Sequence, residues 1–241
     1  MKTIFLLMTI FATSGIAVAD GNKFKHDVIK TSVGKLTITF IGHGTLMLEI
    51  NGKVIHVDPW GKLADYATLP KADLILVTHF HPDHLDTSTI NQIARDSTQI
   101  VSPPSVFDVL QKGIVMKNSE TRTLLGVKIE AVPAYNTTEG RDKFHPKGRD
   151  NGYVLTIGDE RIYIAGDTEN IPEMAALKNI DIAFLPMNQP YTMLPEQVAG
   201  AVRAFHPRIL YPYHYGDTDL SVLKKLLASD KSVELRIRPM K

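Results

Sequence analysis

Residues 74–86 read LILVTHFHPDHLD, and the rest of the chain makes sense as support for them. Residues 74–77 are a continuous apolar run, the pattern of a strand buried on both faces. Polarity then switches abruptly at His79, His81, Asp83 and His84. In extended backbone, residues i and i+2 point the same way, so His79 and His81 converge on one point. Pro82 fixes φ and resists helix continuation. It sets up a turn from which Asp83 and His84 aim at a second point close by. Imidazoles with a carboxylate suit a borderline cation such as zinc, and also accept iron, manganese or nickel. A polar turn after a strand is the plain alternative. That explains a lone histidine, but not three histidines and an Asp within six consecutive positions.

The chain has 241 residues, 44% hydrophobic and 22% charged, enough for one substantial domain. A net charge of +1 gives no sign of a nucleic-acid surface. Residues 1–19 read as a signal peptide: Lys2 supplies a positive start, residues 4–11 an apolar core, and Ala17-Val18-Ala19 an A-x-A cleavage site. The apolar core is too short to span a bilayer, so no stable membrane anchor is expected. Cleavage would leave residues 20–241 as a single domain in the periplasm or secreted. There is no cysteine. Any metal site must therefore be built from His, carboxylate, amide and water.

Pattern places the other elements in order. An arm or strand over 23–33 leads to an alternating strand over 35–40, a Gly42-His43-Gly44 turn, and a hairpin of residues 45–50 and 53–57 around Asn51-Gly52. Asp58-Pro59 ends it. A helix over 87–95 is capped by Asp86, Thr87 or Ser88. A strand over 99–102 and a helix over 105–112, stopped by Gly113, follow. One or two strands fall in 123–132. Residues 133–151 lack periodicity, and a loop this long inside a compact domain is functional or mobile. A second hairpin, 153–157 with 161–165, runs straight into Gly166-Asp167-Thr168. Then come a short helix over 172–178, a buried strand over 182–185, a helix over 195–205 with Pro in its first turn, a strand over 208–211, a helix over 221–228 and a last strand over 233–237. No sequence repeat is visible.

Three strands thus end in polar residues: Val77 before His79, Ala165 before Asp167, and Tyr211 before His214. Sites gathered at strand ends are the common solution in layered α/β folds. Asp167 has two oxygens and can bridge two cations. His206, between a helix and a proline, reads as a surface or capping residue. His26 and His56 stay unassigned.

The HxHxDH pattern, with the strand before it, resembles the signature of the metallo-β-lactamase fold superfamily. GHGTLMLEINGKVIHVDPW resembles the opening of the branch containing ascorbate-phosphate lactonases and N-acyl-phosphatidylethanolamine phospholipase D. The resemblance spans essentially residues 20–241. It implies an α/β fold, the αββα sandwich of two mixed β-sheets flanked by helices, with a dinuclear site at the sheet edges. It maps metal ligands onto His79, His81, Asp83, His84, Asp167 and His214, and places His43 and Asp58 as partners that fix ligand tautomers. One position departs from the pattern. The family's third first-site histidine aligns with Asn136 in PAYNTTEGRDKFHPKG, where the nearby histidine is His145. Imidazole binds such ions far better than amide oxygen, which favours His145.

The expected cofactors are one or two divalent cations, zinc first, with manganese, nickel or iron compatible. The expected reaction is hydrolysis of a small-molecule phosphodiester, lactone or ester by a metal-bound hydroxide. Asp83 and His214 are the candidate catalytic residues, Asp83 orienting the nucleophile. Asn188 and Tyr191, past a strand end, are candidate substrate contacts. A metal-binding, non-catalytic member of the same fold is the alternative.

Overall fold

The computed structural model describes residues 24–241, so the expected signal peptide lies outside the described residues. The first half forms a seven-stranded sheet in simple sequence order: β1 (His26–Thr31), β2 (Gly34–Gly42), β3 (Thr45–Ile50), β4 (Lys53–Val57), β5 (Leu74–Leu76), β6 (Gln99–Ser102) and β7 (Ile114–Val115). Strands β1 to β4 pair antiparallel, and β4 to β7 pair parallel. The second half repeats this plan: β8 (Thr121–Leu124), β9 (Val127–Ala134), β10 (Asp150–Ile157), β11 (Glu160–Ile164), β12 (Ile182–Pro186), β13 (Ile209–Tyr213) and β14 (Glu234–Leu235) form the other sheet, again in sequence order. Strands β8 to β11 are antiparallel and β11 to β14 parallel. The halves share a topology although their sequences show no repeat.

The two sheets face each other across the main core. Alternation along each strand decides which side chains enter it. Leu74 and Leu76 of β5 join the main core, while Ile75 and Val77 turn to a second cluster on the outer face. That division is what the unbroken apolar run 74–77 encodes. The outer cluster includes Ile90 and Ile93 of α1 (Thr87–Ile93) and Val106 of α2 (Pro104–Leu110). On the other sheet, Val198 and Val202 of α4 (Pro195–Phe205) and Leu223 and Leu227 of α5 (Leu220–Leu227) cover the outer face. A short α3 (Pro172–Ala175) links β11 to β12. The result is the expected αββα sandwich.

Of the three candidate caps, Asp86 closes α1, its carboxylate accepting from the Thr89 N–H at 3.1 Å. Helix α2 does not run to Gly113. Gln111 takes the left-handed conformation (φ 52°) and ends it earlier. Strand β7, two residues long, was too short to leave a pattern. The loop is shorter than 133–151, because β9 reaches Ala134 and β10 begins at Asp150.

Candidate metal centre

The parallel strands end on one edge of the sandwich, and the polar residues collect there. Thr78 and His79 follow β5, Asp58 follows β4, Gly166 and Asp167 follow β11, and His214 follows β13. Two glycines permit the convergence. A Cβ on Gly44 would stand 2.6 Å from the His84 ring, so the Gly-His-Gly turn admits the imidazole only without a side chain there. Gly166 has φ +66°, and a Cβ would meet the Asn151 carbonyl at 2.9 Å and Thr78 Cβ at 3.1 Å.

The side chains form overlapping groups whose ligating atoms lie within 4.8 Å of one another: His79 with His81 and His145; His79 with His84 and Asp167; and His43 with Asp83, His84 and His214. Asp167 stands between them. Its Oδ2 is 3.5 Å from His145 Nε2 and 3.4 Å from His214 Nε2, and its Oδ1 is 3.6 Å from His84 Nε2. Asp83 Oδ2 lies 3.6 Å from His214 Nε2 and 3.8 Å from His84 Nε2.

Behind this ring sits a second row of contacts. Asp58, fully buried, accepts from the Thr78 N–H (2.8 Å), the Thr78 hydroxyl (2.6 Å) and His84 Nδ1–H (2.8 Å). Because the Thr78 proton goes to Asp58, its Oγ1 accepts from His79 Nδ1–H at 2.9 Å. His145 Nδ1 faces Asp150 Oδ2 at 3.3 Å. Each ring is thus held by one nitrogen and offers the other. His43 is nearer than a remote partner would be. Its Nε2 is 3.0 Å from Asp83 Oδ2, and its ring lies 3.7 Å, centre to centre, from that of His214.

His79 Nε2, His84 Nε2, Asp167 Oδ1 and both nitrogens of His214 are buried without a hydrogen-bond partner. Stranding a buried polar atom costs about 1–3 kcal/mol, so several pointed at one spot fit a cation there. The donor set of imidazole and carboxylate, free of thiolate, suits a zinc-like divalent ion. Protonation states agree in part. Burial, then the neighbouring His84 and His145, holds His79 well below the usual imidazole range. Burial lowers His81 as well. Both stay neutral, which is the ligand form. Burial opposes charge on Asp83 and Asp167 too, but the surrounding imidazoles outweigh it and keep both carboxyls low. Burial also opposes charge on His84, yet Asp167 and Asp58 push it up to about 9. A cation at His84 Nε2 would have to displace that proton.

Residues 37–214 match the β-lactamase superfamily domain. A UPF0173 metal-dependent hydrolase of Thermococcus kodakarensis is 32% identical over 191 residues, 74% of this chain and 84% of that protein. The chain belongs to the β-lactamase superfamily, among its UPF0173 metal-dependent hydrolases. A crystal structure from Parabacteroides distasonis ATCC 8503, whose name assigns it to metal-dependent hydrolases, is 55% identical, with a TM-score of 0.88 over 90% of this chain and all of that one. Igni18, a metallo hydrolase of Ignicoccus hospitalis, is 26% identical, with a TM-score of 0.72 over 86% of this chain and 96% of that one.

Within this hydrolase the loop of residues 135–149 carries the departure from the family pattern. Asn136 donates its backbone N–H to the His145 carbonyl at 2.8 Å, so the chain between them closes into an excursion that returns His145 beside the aligned position. Asn136 turns its amide nitrogen to the Tyr191 carbonyl (2.8 Å) and the Arg141 carbonyl (3.2 Å), while its Oδ1 is buried without a partner. Asn188 and Tyr191 line a cavity of about 390 Å³ together with His43, His81, Asp83, Phe144, His145, Asp167 and His214. His206 stays apart, exposed at the left-handed C-terminus of α4. His26 is exposed, and His56 is buried with Nε2 donating to the Pro70 carbonyl at 3.0 Å. Thr78, Asp150, Phe144 and Glu169 were not singled out from sequence. Only Thr78, adjacent to the motif, carried a local signal.

Proposed function

We propose that this metal-dependent hydrolase cleaves a phosphodiester, lactone or ester bond in a small-molecule substrate, acting outside the cytoplasm. The observation that carries the proposal is the cavity of about 390 Å³, lined both by imidazoles and carboxylates of the cluster and by Phe144, Asn188 and Tyr191. His79, His81 and His145 would hold one cation, Asp83, His84 and His214 a second, with Asp167 between them. Divalent ions bound there, zinc first and manganese, nickel or iron as alternatives, would lower the pKa of water towards ~7 and polarise the scissile oxygen.

The chain's own groups do the rest. Asp83 is about one-third exposed, faces the cavity and stays ionised, so it accepts a hydrogen bond from an attacking water and aims it. His43 Nε2–H donates to the same carboxylate and fixes its direction. Phe144 and Tyr191 meet edge to face, 5.0 Å between centres at 75°, and wall the substrate from bulk water. Asn188 offers an amide to a polar substrate group. The resemblance to the lactonase and phospholipase D branch ranks phosphodiesters and lactones above β-lactams. The A-x-A site after an apolar stretch supports export.

The test is turnover by protein loaded with zinc, manganese or nickel against bis(4-nitrophenyl) phosphate, 4-nitrophenyl esters, simple lactones and a chromogenic β-lactam. Cleavage of a diester, ester or lactone that disappears in Asp167→Ala is the expected result. Turnover of the β-lactam alone would overturn the substrate assignment.

A further inference from the structure

Glu169 is a buried carboxylate that the chemistry above does not use. It stands two residues past Asp167, its side chain fully shielded from solvent. Oε2 accepts from the Thr137 N–H (2.7 Å), the Thr138 N–H (2.7 Å) and the Thr137 hydroxyl (3.1 Å). Oε1 accepts from the Thr138 hydroxyl (2.8 Å) and Arg141 Nη1 (3.0 Å). All five donors belong to residues 137–141. A buried carboxylate is costly unless its oxygens are fully paired. Here the pairing comes entirely from one short stretch of one loop.

That stretch is the base from which His145 is presented. The Glu169 N–H donates to the Tyr135 carbonyl at 3.0 Å, fastening the start of the loop to the segment that follows β11. Beyond Arg141, the Phe144 N–H donates to the Arg141 carbonyl (3.0 Å), and the Asn136 N–H reaches the His145 carbonyl (2.8 Å). Asp150 orients the ring of His145 and pairs Arg149, whose Nη2 donates to the Phe144 carbonyl at 2.6 Å, so it holds the far end of the loop, whereas residues 137–141 are held by Glu169.

We propose that Glu169 is a positioning residue: it latches the loop of residues 135–149 onto the segment that carries Asp167, and so sets where His145 stands in the metal centre. This rests on the reading of His145 as a ligand. Glu169 touches neither substrate nor metal. Its effect passes through backbone placement, so it differs from a purely structural role by acting selectively on one end of the centre.

The test is zinc affinity of Glu169→Gln and Glu169→Ala by chelator competition, with hydrogen exchange followed by peptide. Gln keeps the shape and can still accept from the Thr137 and Thr138 N–H groups through its amide oxygen, but it then turns its amide nitrogen toward the Arg141 guanidinium. Loss of a partner bonded directly to a ligand costs roughly 10- to 100-fold in metal affinity; Glu169 acts one step further out, so a fall of about 10-fold is expected in Glu169→Ala and a smaller one in Glu169→Gln. Faster exchange should appear over residues 136–145 and not in β12 or β13. Leu223→Ala, which loosens the core beneath α5, should keep wild-type zinc affinity. If either Glu169 variant fails to fold, Thr138→Val and Arg141→Ala remove one donor each and should give smaller losses of the same kind. Wild-type zinc affinity in the folded Glu169 variants, or an equal loss in Leu223→Ala, overturns the latch. If His145→Ala itself keeps full zinc affinity, the ligand reading has failed. If His145→Ala loses affinity and Glu169→Ala does not, the latch alone has failed.

Discussion

Replacing His145 and Asn136 separately divides two candidates for one coordination position. His145 is buried, with Nε2 3.5 Å from Asp167 and Nδ1 3.3 Å from Asp150. Removing its ring strands little. Asp150 keeps Arg149, whose Nε donates to Oδ1 at 2.8 Å and whose Nη2 donates to Oδ2 at 2.7 Å. The fold should survive, and the loss should fall on the metal. It should exceed the roughly 10- to 100-fold that removal of an outer partner costs. Asn136→Ala is a different perturbation. It deletes two hydrogen bonds, to the Tyr191 and Arg141 carbonyls, worth about 1–3 kcal/mol together. It keeps the backbone bond from residue 136 to the His145 carbonyl. His145 therefore stays in place, while Tyr191, which lines the cavity, loses an anchor.

The expected result is that His145→Ala loses bound metal and kcat together, whereas Asn136→Ala keeps its metal and raises KM. Metal content by elemental analysis, chelator competition and steady-state kinetics under identical loading measure all of this. Full occupancy in His145→Ala with loss in Asn136→Ala would refute the assignment. It would mean that the unpartnered Oδ1 of Asn136 is the ligand.

Other outcomes follow from the same geometry. His79→Ala and Asp167→Ala should each abolish hydrolysis and leave the circular dichroism spectrum of the fold, while His206→Ala, at an exposed helix end, should match wild type in a turnover assay. Stripping metal with a chelator should lower Tm by roughly 10 °C if the ion is held at a thousand times its Kd; scanning calorimetry before and after zinc is restored checks this. Burial pushes His56 down to about 4 from an ordinary value of 6.5, so it stays neutral in the fold while the unfolded chain takes up a proton between those values. Stability should fall as pH drops from 6.5 to 4, by about 3 kcal/mol from this residue. Denaturant melts should show a flatter profile over that window in His56→Gln. N-terminal sequencing of protein from the periplasm or medium should begin at Asp20, and a mature form retaining Met1 would count against export.

Much of this centre was legible because its chemistry is local. His79, His81, Asp83 and His84 fall within six residues, at the end of a strand whose unbroken apolar run marks it as buried on both faces. Asp167 and His214 were readable only as polar residues after apolar strands, a weaker signal that gains force when three strands share it. Asp58 was placed beside the ligands by the family resemblance alone, and the contacts of Asp150 and Glu169 were not legible. Each depends on which distant segment the fold brings alongside, and an acidic residue in a loop reads as solvated until that neighbour is known. The small misjudgements have equally physical sources. Strand β7 is held by two residues of parallel pairing, and α2 ends on a left-handed Gln111 where a glycine two positions later looked the better stop.

The repeated topology explains why the centre forms on this edge. In each half a four-strand antiparallel meander delivers the chain to parallel strands, and parallel strands all end on the same side. The last strand of each meander ends in a carboxylate, Asp58 after β4 and Asp167 after β11. The two carry opposite duties: Asp58 is sealed away and fixes the His79 and His84 rings through Thr78 and its own oxygens, whereas Asp167 faces those rings from the other sheet. The next strand in each half sharpens the division. After β5 come His79, His81, Asp83 and His84; after β12 come Asn188 and Tyr191, which line the cavity. By the proposed assignment one half would supply His79, His81, Asp83 and His84, and the other His145, Asp167 and His214 together with the cavity wall of Asn188 and Tyr191. Identical strand order can carry such different residues because topology is set by alternation and turn chemistry, which many sequences satisfy. Substrate preference should accordingly be more easily altered at the β12 end, where Asn188 and Tyr191 can change without disturbing the ring of ligands.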